Sequence, residues 1–171
     1  MINITASIYK RKTGNVHAIF FFFSSCWLFL TAFLGLVMVY NFTYPFLPEE
    51  TLAYLPLHAH AGIIGWFLLL VTGVGSRLIP MFLISKYSNK GLLWFIYALI
   101  NGGLLSFFVL FLRFPGSNLT LIPAVAILAA LLLFGCYCYN SVAQRIRRKV
   151  DEQMKVSLLS VMMMFLPVIF L

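Results

Sequence analysis

The sequence is poor in charged side chains. It has 12 basic and 4 acidic residues among 171, which is 9% of the chain. A soluble domain usually carries about 25% charged residues. The mean hydropathy is +1.01, and 63% of the residues are hydrophobic. This composition excludes an ordinary soluble domain and indicates a protein whose surface faces the hydrocarbon of a lipid bilayer.

Cysteine is also scarce. The three cysteines are Cys26, Cys136 and Cys138, and all of them lie in apolar stretches. An odd number in such positions excludes a disulfide framework. On a helix, Cys136 and Cys138 would point to different faces, so we expect packing roles rather than metal binding. The Walker, dinucleotide, HExxH and nucleophile-elbow motifs are missing as well.

Long uncharged runs dominate what is present. A membrane-spanning helix needs roughly 20 apolar residues, and the first four runs each supply that number. The first run is too long for the apolar region of a signal peptide, about 7–15 residues. We therefore predict one all-α, polytopic transmembrane domain over residues 1–171. Its predicted spans are residues 16–40, 57–83, 91–112, 119–139 and 156–171.

The predicted fifth span is short. From residue 156 to the end of the sequence a helix would rise only about 24 Å, against about 30 Å of hydrocarbon. Pro167 interrupts the run, and the last residues, Phe170 and Leu171, are apolar. This pattern predicts either a truncated chain or a helix that a partner completes.

Basic residues concentrate on one side of the predicted spans. Arg77 falls inside span two and can extend toward that same side. By the positive-inside rule, the N-terminus is predicted to be cytoplasmic. Because the bases flank spans, the net charge of +8 does not predict a nucleic-acid partner. One side carries ten bases, Lys10, Arg11, Lys12, Lys86, Lys90, Arg145, Arg147, Arg148, Lys149 and Lys155; the other carries Arg113 with Glu49 and Glu50.

Aromatic residues are expected to mark the two membrane surfaces. Amphipathic rings of Trp and Tyr favour the headgroup level of a bilayer. Trp94, Tyr137 and Tyr139 would mark the cytoplasmic boundary, and Tyr40 and Tyr44 the outer one.

Two of the three histidines, His58 and His60, lie together at the predicted outer end of span two. Ionisable side chains at membrane depth are costly and are candidates for function. A neutral imidazole binds heme iron and copper well. On an α-helix the two side chains point roughly 160–200° apart. They therefore address different neighbours and cannot ligate one metal ion together.

The residues that follow each histidine differ in size. His58 is followed at helical spacing by small residues, including Gly62 and Gly65, whereas bulky apolar residues follow His60. A flat macrocycle or another helix approaches closely only over small side chains. His58 is thus the preferred ligand, with Gly62 and Gly65 beside the cofactor. His60 would contact a propionate or the membrane interface.

The same residues also fit proteins without a cofactor. Histidines at the end of a span can bind lipid headgroups and water, and glycines can serve helix packing. A metal or proton-coupled carrier is a third interpretation. Of the remaining polar residues, His17 is expected to be interfacial, because the membrane thickness separates it from His58. Arg77 is expected to anchor span two, and Asn101 to bond a neighbouring helix.

One segment resembles a known family. The run from His58 to Phe67, HAHAGIIGWF, with Pro80 and Met81 closing the span, resembles the second helix of the heme-copper oxidase catalytic subunit (subunit I-like) superfamily. The likeness is greatest to its nitric-oxide-reductase-like and cbb-type branches. It implies that His58 is an axial ligand of a low-spin heme b. It also implies a role in respiratory electron transport. His60 stands where those branches often have Asn.

The resemblance covers about 25 residues of span two and implies only part of a site. In that superfamily the copper and high-spin heme ligands lie on later helices, and no histidine follows His60 here. It therefore implies an N-terminal portion or divergent relative of an oxidase-like subunit, without copper, in a bacterial inner membrane. The second heme ligand would come from further subunits or missing C-terminal helices. The alternatives are a membrane scaffold or assembly protein without cofactor, and a metal or proton-coupled carrier.

Overall fold

The structure is a computed structural model that describes residues 16–114, 117–146 and 152–163. The described residues are almost entirely helical and form no strand, apart from an isolated bridge between Ser85 and Arg145. The α-helices are α1 (Val16–Thr43), α2 (Leu55–His60), α3 (Leu69–Leu83), α4 (Lys90–Arg113), α5 (Leu121–Ala143) and α6 (Glu152–Met163). Short 3-10 turns at Thr51–Tyr54 and Asn118–Thr120 and a π-helix at Ala61–Leu68 complete the fold.

Among the described residues, four continuous helical stretches are long and apolar enough to cross a bilayer. We call them span one (Val16–Thr43), span two (Thr51–Leu83), span three (Lys90–Arg113) and span four (Asn118–Ala143). The shortest has 24 residues, about 36 Å of helix, which exceeds about 30 Å of hydrocarbon. The four predicted full spans are confirmed.

Several ends differ from the predicted bounds. Span one ends at Thr43 rather than at residue 40, and span four at Ala143 rather than at residue 139. Span two begins earlier than expected, because Thr51 opens a 3-10 turn that leads into α2, where Pro56 occupies the first turn. Proline is tolerated there because that position has no hydrogen-bond acceptor for an N–H. The predicted fifth span falls partly outside the described residues. Its described part, α6, begins at Glu152 and runs to Met163.

The spans pack as two neighbouring pairs. Span one lies along span two, and span three lies along span four, while α3 of span two also contacts span four. The core between them is built from large side chains such as Phe20, Leu69, Ile96 and Phe134, each at most 1% exposed. His17, at the start of span one, and His58, near the start of span two, lie at opposite ends of the bundle. We name these the His17 end and the His58 end.

Span two is not a regular α-helix. The eight residues Ala61–Leu68 directly after His60 adopt π-helical hydrogen bonding. Two of them, Gly62 and Gly65, lack the side chains that would hold span one away. Such π segments occur often at functional sites. The π segment therefore marks the same part of span two as the two histidines as a candidate functional site.

Asn41 organises the connection between spans one and two. Its Oδ1 accepts hydrogen bonds from the backbone N–H groups of Phe46, at 2.8 Å, and Leu47, at 3.0 Å. Its Nδ2 donates to Thr51 Oγ1 at 2.8 Å. One buried side chain thus fixes the loop and the beginning of span two, on which His58 is carried.

Candidate functional site

The imidazole of His58 lies against span one. A Cβ atom placed on Gly35 would be 3.2 Å from His58 Cε1 and 3.6 Å from Nδ1. Nδ1 is buried and has no hydrogen-bond partner among the described residues. A buried polar atom without a partner costs about 1–3 kcal/mol. Such atoms are few in folded proteins and call for an explanation.

A shallow groove runs beside this ring between spans one and two. We call it the His58 groove; its volume is about 440 Å³. Its surface is almost entirely apolar, and Ile63 at its edge is 65% exposed, so the groove opens toward lipid. It is lined by Leu28, Thr31, Ala32, His58, Ala59, Gly62, Ile63, Trp66 and Phe67. Small residues on both helices leave room, and two aromatic side chains lie at its edge.

His60 is placed on another side of span two. Its ring stacks on Phe107 of span three, with the centroids 4.3 Å apart and the planes 25° from parallel. Its Nδ1 lies 2.7 Å from the carbonyl oxygen of Pro56. A carbonyl only accepts, so the hydrogen is on Nδ1, and Nε2 of the neutral ring carries a free lone pair. The prediction that the two histidines address different neighbours is confirmed.

The two predicted glycines have different surroundings. Gly62 borders the His58 groove, and a Cβ there would lie 3.2 Å from Thr31 Cγ2. At Gly65 a Cβ would lie 2.6 Å from Trp27 Cγ, so the indole of Trp27 already covers this residue. The stripe of small residues therefore admits a neighbouring helix, as its pattern predicts. The approach of a macrocycle over these glycines stays a prediction.

The predicted bond from Asn101 to another helix is confirmed. Trp27 Nε1 donates to Asn101 Oδ1 at 3.0 Å, and both groups are buried. Asn101 Nδ2 donates in turn to the Tyr97 carbonyl oxygen at 3.0 Å. This link joins spans one and three beside Gly65. It leaves Asn101 with a structural partner rather than a ligand.

A second polar network lies toward the His17 end. His17 Nδ1 and Ser76 Oγ are 3.0 Å apart, and Ser76 Oγ donates to the Gly73 carbonyl oxygen at 3.0 Å. Tyr137 OH donates to the carbonyl oxygen of Ser76, also at 3.0 Å. Three spans meet at this serine. His17 thus bonds span two in addition to lying at the end of its own span.

The expected position of Tyr137 at the membrane surface is wrong. The residue is only 3% exposed, because its hydroxyl reaches an inward-facing backbone carbonyl of span two. Tyr139, two residues later, is 74% exposed.

Cys138 is buried and Cys136 exposed, which agrees with the predicted different faces. Among residues 16–114, 117–146 and 152–163, no group of three or more His, Cys, Asp or Glu side chains is placed to hold a metal ion.

Over the described residues, these features define an all-helical, multi-pass membrane protein with an open groove lined in part by His58. No family model, no curated protein and no solved structure matches the chain. The resemblance of span two to the heme-copper oxidase superfamily therefore stays a prediction.

Proposed function

We propose that this protein binds a heme within the membrane, with His58 as one axial ligand, and that it acts in electron transfer. The observation that supports this proposal is the position of His58, whose imidazole lines an open apolar groove between spans one and two. His60 has a hydrogen-bond acceptor and a stacking partner, so its surroundings are explained without a ligand. His58, in contrast, has no hydrogen-bond partner for its Nδ1 among the described residues.

The groove residues suit a flat, apolar group. Thr31, Ala32 and Gly62 are small enough to let a planar ring come close, and Trp66 and Phe67 offer aromatic contact at its edge. Nδ1 is buried, so Nε2 would be the nitrogen that holds the iron. A bound heme b would supply one-electron redox chemistry; the chain's own residues would position it and keep water away.

The described residues supply only part of such a site. The groove is open on its lipid side, and an iron-bound ring would carry a hydrogen on Nδ1 that lacks an acceptor among them. A low-spin iron also needs a second axial ligand. We infer that further helices or a partner subunit cover the groove and supply that ligand. We place no copper in this chain.

We further infer the orientation. The ten basic residues in the segments at the His17 end, against one in the segments at the His58 end, support a cytoplasmic N-terminus by the positive-inside rule. The His58 groove would then open near the outer surface of a bacterial inner membrane. That placement suits exchange of electrons with a donor on the outer side.

The test is a reduced-minus-oxidised absorption spectrum of membranes containing the complete gene product. We expect a heme b band in the wild type, its loss in His58→Ala and its retention in His60→Ala. His17→Ala, at the opposite end of the bundle, is the matched control and should keep the band. A colourless wild-type protein, or equal loss of the band from all three variants, would exclude the proposal. Circular dichroism of each purified variant distinguishes a lost ligand from a lost fold.

A second function is supported by the packing of the glycines. Trp27 and Phe20 of span one lie directly over Gly65 and Gly73, so the small residues of span two have a role without any cofactor. Close helix packing of this kind, without a cofactor, is expected of a membrane scaffold or assembly protein. It predicts a colourless purified protein whose complex with its partner survives His58→Ala.

A further inference from the structure

We propose that the His17 end holds one anionic phospholipid. Its phosphate would lie against Arg77 and Lys90, and one of its acyl chains in a groove between span two and α6. This site is independent of the His58 groove and of any heme. It rests on two features that adjoin along α3, a cluster of basic groups and an elongated apolar groove.

The cluster of basic groups brings together three spans. His17 Nδ1 and Ser76 Oγ are hydrogen-bonded at 3.0 Å. This bond holds the start of span one at the level of Arg77, the next residue on span two. Lys90 begins span three at the same end of the bundle. We call His17, Arg77 and Lys90 the basic corner.

The charge of the basic corner is not balanced by a described carboxylate. Glu49 and Glu50 belong to the loop at the His58 end, and Glu152 pairs with Lys155 at 2.7 Å. Within the described ranges, that pair is the one ion pair. Arg77 and Lys90 are both exposed, so an anion can reach them. Lys86, also exposed, adds a further positive charge to the same end of the bundle.

An elongated groove runs along span two and includes Leu78, the residue after Arg77. It has a volume of about 480 Å³ and lies between α3, with the π segment before it, and α6. On the span two side its lining runs from Phe67 to Phe82, about 22 Å along the helix axis. The lining is almost wholly apolar, and its two serine hydroxyls bond backbone carbonyls of their own helix. A groove of this length and direction matches an acyl chain better than a compact ligand.

Arg77 connects the two features. Ser76, Arg77 and Leu78 follow one another at about 100° around the helix. Ser76 faces His17, and Leu78 lines the groove, so Arg77 lies between them. It is six residues from the end of span two at Leu83, about 9 Å below that end. A long basic side chain at this depth extends toward the headgroups, where the phosphate of a lipid lies.

Other possible occupants of this site fit it less well than an anionic phospholipid does. A soluble phosphate ion would use the charges but not the apolar groove beside them. An apolar partner helix would use the groove but leave the charges unmatched. Only an amphiphile with an anionic head and a hydrocarbon tail satisfies both. Basic pockets at the end of spans are known to select anionic headgroups.

The proposal is tested with the full-length chain in nanodiscs of phosphatidylcholine doped with phosphatidylglycerol. Retained lipid is counted by native mass spectrometry. The double variant Arg77→Gln/Lys90→Gln should weaken phosphatidylglycerol binding at least tenfold. Arg77→Lys/Lys90→Arg, which keeps both charges, should restore it. Lys155→Gln is the matched control, since it removes an exposed lysine outside the basic corner, and it should have no effect.

The contribution of the apolar groove between span two and α6 is tested separately. Ser157→Phe, which fills the groove without changing any charge, should reduce binding of the two-chain lipid. Equal retention of phosphatidylglycerol by the wild type and the double glutamine variant would overturn the proposal. So would an equal loss in Lys155→Gln, or displacement of the lipid by millimolar inorganic phosphate. The thermal unfolding midpoint of each variant shows whether the fold is intact.

Discussion

The indole of Trp27 lies on the backbone of Gly65, so that a Cβ atom at Gly65 would be 2.6 Å from Trp27 Cγ and 2.7 Å from Cδ2. A Cβ contact under 3.0 Å forces one of the groups to move. The contacting Trp27 atoms belong to a large, rigid ring close to its own backbone. The close approach of spans one and two at this point therefore depends on the absence of a side chain at Gly65.

Gly65→Ala should accordingly destabilise the protein. Overpacking of this kind costs about 1–3 kcal/mol, and we expect a lower thermal unfolding midpoint in detergent. Gly102→Ala is the matched control: it is also a glycine in a span, but a Cβ there meets nothing within 4 Å. Because alanine favours helix over glycine by roughly 0.5–1 kcal/mol, the control should be neutral or slightly stabilised. Equal midpoints for the two variants would contradict the packing described.

The bond between Trp27 and Asn101 should be measurable as a coupling energy. Trp27→Phe and Asn101→Leu each break the bond, and their double variant should cost less than the sum of the two. Hydrogen bonds between membrane helices average about 0.6 kcal/mol in such cycles. Asn140, half-buried and bonded to the Cys136 carbonyl oxygen of its own helix, provides the control. A cycle between Trp27 and Asn140 should give no coupling.

Tyr137→Phe should loosen the contact between spans two and four. The hydroxyl that donates to the Ser76 carbonyl oxygen is buried, and its loss should cost about 1 kcal/mol. Tyr139→Phe removes an equivalent hydroxyl from a residue that is 74% exposed, and should change the unfolding midpoint little. If both variants behaved alike, Tyr137 would have no structural role.

Ile84→Gly should stabilise the protein. Ile84 ends α3 with φ of +50° and ψ of +46°, a left-handed conformation that is unfavourable for a β-branched residue. Strain of this kind costs about 1–3 kcal/mol, and glycine relieves it without loss of the backbone bonds from Ile84 and Ser85 to Met81 and Pro80. Unfolding in detergent should show a higher midpoint. An unchanged or lower midpoint would mean that contacts of the exposed isoleucine outweigh the strain.

The orientation can be tested with single cysteines in a cysteine-free background. Glu49→Cys should react with a membrane-impermeant maleimide on intact cells, and Ser88→Cys only after the membrane is opened. Both positions are exposed in loops at opposite ends of the bundle. The reverse pattern would invert the orientation inferred from the basic residues.

The spans could be predicted because they depend only on composition along the chain. In lipid, a long uncharged segment is stable as a helix, because a helix satisfies all of its own backbone hydrogen bonds. The four full spans follow directly from this. The different sides of His58 and His60 also follow from helical geometry. The π segment at Ala61–Leu68 could not be predicted, because it depends on how closely span one approaches.

The sequence-based prediction did not identify the face of span one that packs on span two beside His58. Thr31, Ala32 and Gly35 are small residues within a bulky span, and their spacing could have signalled a face for close packing. Nothing in the sequence separates Tyr137, which is buried, from Tyr139, which is exposed. That distinction depends on the rotation of span four, which only tertiary contacts determine.

Spans one and two are fastened to each other near both ends. Asn41 is bonded to Thr51 at the His58 end, and His17 to Ser76 toward the other. Between these two links span two contains its one π segment. The pair therefore cannot slide lengthwise without breaking a polar bond in or near the membrane. Any motion that the pair does undergo should be a bend at Ala61–Leu68, which would widen or narrow the groove beside His58.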